Sequence, residues 1–145
     1  MNIQNRIDPA SSLPLEELLN TLPGGFNAIE DIKERRNVIN SLIRMMTAEL
    51  PPIDNIVIED RNIAGPDALL ELVVRIYKPT GVSGSLPGIF FIHGGGMIMG
   101  SIETENNKAA MLCETIQSIV VSVEYRLAPE NPHPAPVQDC YQALV

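Results

Sequence analysis

A histidine and three glycines at the end of an apolar run are the residues in this chain best suited to chemistry: Gly88-Ile89-Phe90-Phe91-Ile92 leads into His93-Gly94-Gly95-Gly96-Met97. Ile89 to Ile92 are all β-branched or aromatic, and they are approached through Pro87-Gly88. They describe a short strand buried on both faces, because a strand with one wet face alternates apolar with polar residues. Such a strand lies inside a sheet. The glycines cannot continue it, since they occur where the chain takes positive φ or lets another group approach the main chain. At the C-terminal end of a strand that group is usually a ligand. The loop offers backbone N–H donors, fixed in place and free of Cβ atoms, aimed at a developing negative charge.

Composition narrows the classes of partner. The 145 residues are 45% hydrophobic, the size and apolar content of one globular domain or part of one. Ten Lys and Arg against 18 Asp and Glu give a net charge of −8. No basic cluster is present to neutralise phosphates, so nucleic acid is not an expected partner. No apolar run approaches the ~20 residues of a membrane span, and the first residues carry no apolar leader, which makes a cytoplasmic location the expectation. Cys113 and Cys140 stand outside any Cys-x-x-Cys spacing and read as buried free thiols rather than metal ligands, a redox pair or a disulfide.

The elements that must position the glycine loop follow from periodicity. Ser11-Ser12 and Pro14 open a helix with Leu15, Leu18, Leu19 and Leu22 on one face, ended by Pro23-Gly24-Gly25. A second helix runs from about Ala28 to Leu50 and is closed by Pro51-Pro52. Plain packing is the simplest account of both; a mobile cap walled by Met45 and Met46 is the functional one. From Ile53 the period becomes that of strands, Ile53 to Asp60 and Leu70 to Tyr77, joined by Gly65-Pro66-Asp67 as an antiparallel pair. After the glycine loop, Ser101 caps a helix from about Ile102 to Thr115 with Glu103 and Glu105 in its first turn. A buried strand follows from Ile116 to Val123. Strand, helix, strand makes a βαβ unit with a right-handed crossover and parallel strands. The prolines after it force an extended excursion, and helix resumes near Ala135.

The second strand of that unit leads into Glu124-Tyr125-Arg126-Leu127-Ala128-Pro129-Glu130. His-Gly-Gly-Gly followed some 30 residues later by Tyr-Arg-Leu-Ala-Pro-Glu resembles the hormone-sensitive-lipase-like branch of the α/β-hydrolases, the bacterial family IV esterases. Val74-Arg75-Ile76-Tyr77-Lys78-Pro79 and the helical lead-in extend the resemblance upstream.

This resemblance implies an α/β fold: the N-terminal part of an α/β-hydrolase, with cap helices over residues 1–52 and, over 53–145, an antiparallel strand pair and the start of the parallel sheet. The implied strand order is 1-2-4-3. The implied function is carboxylic ester hydrolysis of a small acyl ester by a serine nucleophile, without metal or organic cofactor. Its transferable site residues are Gly94, Gly95 and Gly96, the oxyanion-hole loop, with His93, Arg126, Glu130 and Asp139 as structural residues near the site and Glu124 as a further candidate.

The family's Gly-x-Ser-x-Gly elbow, acid and histidine would fall beyond Val145. Ser83, in Gly81-Val82-Ser83-Gly84-Ser85, lacks the final glycine and reads as a linker serine; His133 precedes the expected nucleophile and reads as a loop histidine. The chain by itself is therefore expected to be inactive, with an exposed sheet edge that a C-terminal half or another chain must cover. A non-catalytic ligand-binding homologue and an inactive truncated product are the competing readings.

Overall fold

The computed structural model describes residues 7–67 and 69–145. They form two compact units, one ending at Ile39 and one running from Asn40 to Val145.

In the first unit, helix α1 spans Pro9–Thr21. Asp8 is its cap: Oδ1 accepts the Ala10 amide at 2.9 Å, and proline's fixed φ suits the first helical position. Ser11, Ser12 and Pro14, expected to open the helix, lie inside it. The short acid at Asp8 satisfies an orphan amide earlier than the serines could, and Ser12 Oγ turns back to the Pro9 carbonyl at 2.9 Å. After a 3-10 turn at Phe26–Ala28 comes α2, Ile32–Thr47, whose residues from Asn40 onward belong to the second unit. It is shorter at both ends than the expected Ala28 to Leu50, because Asp31 Oδ1 accepts the Glu34 amide at 2.8 Å and so fixes the start. Thr47 Oγ1 donates back to the Ile43 carbonyl at 2.8 Å in the last turn.

The second unit contains the sheet. Strands β1 (Ile56–Ala64) and β2 (Glu71–Pro79) are antiparallel, with Ile56 opposite Pro79 and Ala64 opposite Glu71. The Gly65 amide donates to the Leu70 carbonyl at 2.7 Å across their turn. Strand β3 (Gly88–Phe91), helix α3 (Asn106–Ile116) and strand β4 (Ile119–Glu124) form the βαβ unit, and α4 (Ala135–Leu144) follows. The sheet order is β1-β2-β4-β3, with β4 antiparallel to β2 and parallel to β3. Side chains alternate across it. Tyr77, Val120, Ala109, Ala110 and Cys113 build a core between one face and α3, while Val74, Val123 and Tyr125 pack with Cys140 and Ala143 of α4 on the other.

Boundaries differ from expectation where local side-chain bonds outweigh periodicity. The pairing of β1 begins at Ile56 rather than Ile53. Helix α3 begins at Asn106 rather than Ile102, because Ser101 Oγ takes the Thr104 amide at 3.1 Å and closes a separate turn. Glu103 lies in that turn, paired with Arg75 at 2.6 Å, and does not serve a helix dipole. Ile116 ends α3 instead of starting β4, since Gln117 turns left-handed at φ 55°. The expectation that Ile89 to Ile92 are buried on both faces also fails. Ile89, Phe90 and Phe91 are half-buried and Ile92 is 51% exposed, because β3 is an edge of this sheet and is paired along one side only.

Ser122 of β4 is fully buried with no partner for its hydroxyl among the described residues. An unsatisfied buried hydroxyl costs about 1–3 kcal/mol. Ser122→Ala is therefore expected to raise the unfolding free energy by about 1 kcal/mol, read by equilibrium urea unfolding; a lowered midpoint would contradict it.

Candidate functional site

The loop after β3 folds back on itself through its own carbonyls. The amides of Ile98 and Met99 donate to the Gly95 carbonyl at 3.2 and 3.1 Å. The ring of His93 bonds the Gly94 carbonyl through Nδ1 at 2.9 Å; the carbonyl only accepts, so Nδ1 carries the proton. Among the described residues nothing accepts from the amides of Gly94, Gly95 or Gly96. Gly95 stands at φ 123°, and a Cβ there would run into the Met99 carbonyl. Gly100, at φ 90°, is needed for a different reason: a Cβ would strike the Gly94 carbonyl and His93 Nδ1. Sequence reading passed over Gly100. Only its distance from the histidine, with no Gly-x-Gly pattern to mark it, could have drawn attention to it.

His93 is 2% exposed and lies flat against Tyr125, ring centroids 4.0 Å apart and planes within 10°. The Tyr125 hydroxyl donates to the His93 carbonyl at 2.9 Å. Burial pushes the Tyr125 phenol up to about 12, so it remains a donor at every pH at which the fold is relevant. Burial also holds the His93 imidazole below its ordinary 6.5, with the Gly94 bond opposing the shift. A base kept neutral in the fold binds fewer protons than in the unfolded chain. Its contribution to stability is therefore complete above about 6.5 and is lost as pH falls below that towards the folded value. His93→Asn is expected to flatten the dependence of the unfolding midpoint on pH below about 6.5; an unchanged slope would show that another group titrates.

The end of β4 and the residues after it reach the loop and the turn beyond it at three points. Besides Tyr125, the Ala128 amide donates to the Met97 carbonyl at 2.9 Å, and Glu124 Oε2 accepts the Ile102 amide at 2.7 Å. Burial raises the Glu124 carboxyl above its ordinary value, and the Ile102 amide partly offsets this. Arg126 is bound to Asp139 of α4 by Nε at 2.8 Å and Nη2 at 2.7 Å, and its own amide donates to the same carboxylate at 2.9 Å. Asp139 is 0% exposed. Glu130 is exposed on the turn beyond. Arg75 gathers Asp60, Glu103 and Asn106 at 2.6 to 3.2 Å, and so ties the turn after the glycine loop to β1 and β2.

A cleft of about 350 Å³ opens beside the loop, lined chiefly by Ile92, His93, Met97, Tyr125, Val137 and Cys140. Ser83 and His133 are exposed on loops, outside it. Cys113 and Cys140 are unpaired, and burial pushes both thiols up. Among the described residues no group of three His, Cys, Asp or Glu side chains could hold a metal ion, and no helix is long and apolar enough to cross a membrane.

Residues 89–145 match the family model described as the alpha/beta hydrolase fold. The chain is 37% identical over 140 residues to carboxylesterase NlhH of Mycobacterium tuberculosis, covering 95% of this chain and 40% of that protein. Among solved structures, a bacterial heroin esterase aligns with TM-score 0.74 at 34% identity, over 79% of this chain and 36% of that one. A hyperthermophilic esterase from the archaeon Pyrobaculum calidifontis aligns with TM-score 0.79 at 31% identity, over 94% and 42%. The chain thus spans about two-fifths of the length of the relatives it matches. With the sheet order, the His-Gly-Gly-Gly loop and the Tyr-Arg-Leu-Ala-Pro-Glu segment in place, it carries the N-terminal portion of an α/β-hydrolase fold and resembles the hormone-sensitive-lipase-like branch of that family.

Proposed function

We propose that this chain supplies half of the oxyanion hole of a carboxylic ester hydrolase acting on small acyl esters, through the amides of Gly94 and Gly95 with Gly96 shaping the loop. The observation that carries the reading is the row of unpartnered amides at Gly94 to Gly96, next to a cleft and backed by carbonyls that are already bonded. Donors of this kind are fixed before charge develops, and each is worth about 3 kcal/mol in the transition state of acyl transfer. His93, Arg126, Glu130 and Asp139 are architecture in this reading. Residues 1–52 are the cap segment and 53–145 the N-terminal part of the core.

The serine, acid and histidine lie outside the chain in this reading, and the unpaired edge of β3 is where the remainder of the fold attaches. Cytoplasmic location belongs to the same reading, since two unpaired thiols are what a reducing compartment maintains. The test is hydrolysis of p-nitrophenyl acetate by the 145-residue chain and by the full-length gene product. The chain alone is expected to show no turnover, and the full-length protein saturable turnover abolished by a serine-directed phosphonate. Turnover by the chain alone would refute the division of labour. A full-length protein that binds esters without hydrolysing them would make it a ligand-binding homologue.

The cap assignment has its own measurement. Deleting residues 1–22 is expected to change the relative rates on acetate, butyrate and octanoate esters, whereas a uniform fall that tracks loss of folded protein would leave the lead-in as packing.

A further inference from the structure

The peptide group is planar, so the carbonyl of one residue and the amide of the next point in opposite directions and turn together. Fixing one fixes the other. Each of the three free amides has its own carbonyl partner held. The His93 carbonyl, in the plane that carries the Gly94 N–H, accepts from the Tyr125 hydroxyl at 2.9 Å. The Gly94 carbonyl, in the plane of the Gly95 N–H, is held by His93 Nδ1, and the Gly95 carbonyl, in the plane of the Gly96 N–H, by the amides of Ile98 and Met99. Of these holders only the first comes from a distant part of the chain, 32 residues away across the sheet.

We infer that Tyr125 is a positioning residue for the ester hydrolase reaction: its hydroxyl, bound to the His93 carbonyl, aims the Gly94 amide at the oxyanion. The inference rests on the esterase reading above. Tyr125 is 4% exposed; its ring forms part of the cleft wall, and its hydroxyl acts through one rigid plane. A carbonyl that accepts a hydrogen bond also polarises the amide at the other end of the same group, which strengthens that amide as a donor. Without the hydroxyl, the first plane of the loop is free to rotate about the bonds that flank it, whereas the second and third planes keep their local partners. The ring contributes separately, by stacking on His93.

Tyr125→Phe in the full-length protein separates hydroxyl from ring. Tyr77→Phe is the matched control: Tyr77 is also fully buried in the same sheet, and its hydroxyl donates to Asn106 at 3.0 Å, away from the loop. On p-nitrophenyl butyrate Tyr125→Phe is expected to lower kcat about fivefold to tenfold, with KM within about twofold, the loss of one modest hydrogen bond expressed in the transition state. Tyr77→Phe is expected to cost similar stability and leave kcat within about twofold. In protein labelled with 15N-glycine, the Gly94 cross-peak should move in Tyr125→Phe and stay in place in Tyr77→Phe. Equal kcat losses in both variants, or an unmoved Gly94 amide, would overturn the inference. If the unmodified protein hydrolyses no ester, the esterase reading fails on its own, and the Gly94 amide still decides whether Tyr125 sets that plane.

Discussion

Gly95→Val is expected to lower kcat of the full-length protein on p-nitrophenyl butyrate by roughly 10²- to 10³-fold while KM stays within a few-fold. The size follows from the placement of the residue. At φ 123° a β-branched side chain is strained, and its Cβ would meet the Met99 carbonyl, part of the same turn whose amide bonds the Gly95 oxygen. The loop must open to admit it, and opening displaces the amides of Gly95 and Gly96 together. Those donors act on charge that exists mainly in the transition state, so the loss appears in kcat rather than in ground-state binding. Gly95→Ala should fall on the same side with a smaller loss. The melting temperature of each variant accompanies the kinetics, so that unfolding is not read as a catalytic defect. An unchanged kcat for either folded variant would remove the loop from the reaction.

Arg126→Met is expected to destabilise the full-length protein by about 3–5 kcal/mol, measured by urea unfolding, because it leaves a fully buried carboxylate facing only one backbone amide. Asp139→Asn should cost less. The arginine side chain retains 26% exposure and can reach water, whereas Asp139 has none. The double change to Met and Asn should cost less than the sum of the two, since the second substitution removes the charge that the first left stranded. Equal and additive costs would mean that the pair is not coupled. Because Arg126 lies between Tyr125 and the Ala128 amide, partial loosening of this anchor should also lower activity in molecules that remain folded.

Both motifs were legible in the chain as strings, and so was the order in which strands carry them. The link between them was not. His-Gly-Gly-Gly announces free amides through glycine alone, and Tyr-Arg-Leu-Ala-Pro-Glu marks Arg126 and Glu130 as structural residues near the site while saying nothing of what the Tyr125 hydroxyl holds. The bonds from Tyr125 to His93, from Ala128 to Met97 and from Glu124 to Ile102 depend on parallel pairing that sets Gly88 beside Ile119 and Phe91 beside Ser122. No periodicity carries that register. Burial of β3 was over-read for a related reason: an apolar run reports what the strand is able to bury, while actual burial depends on the neighbours present. Asp8 and Asp31 were missed as caps because the leucine and isoleucine pattern drew the helix boundaries, whereas a single acceptor oxygen fixed them.

The wiring of the sheet also sets an order of events on the ribosome. Strands β1 and β2 are joined by a short turn, and hairpins of this kind form in ~1–10 μs. The pairing of β3 with β4 must wait for the crossover, and with it the hydroxyl that reaches back to His93. At ~5–20 residues per second, Tyr125 is added roughly 2–6 s after His93. Throughout that interval the glycines are present on the nascent chain, but the plane carrying the Gly94 amide has nothing to hold it. A chain arrested before residue 124 would contain the whole glycine loop and none of the three distant contacts that give it its shape.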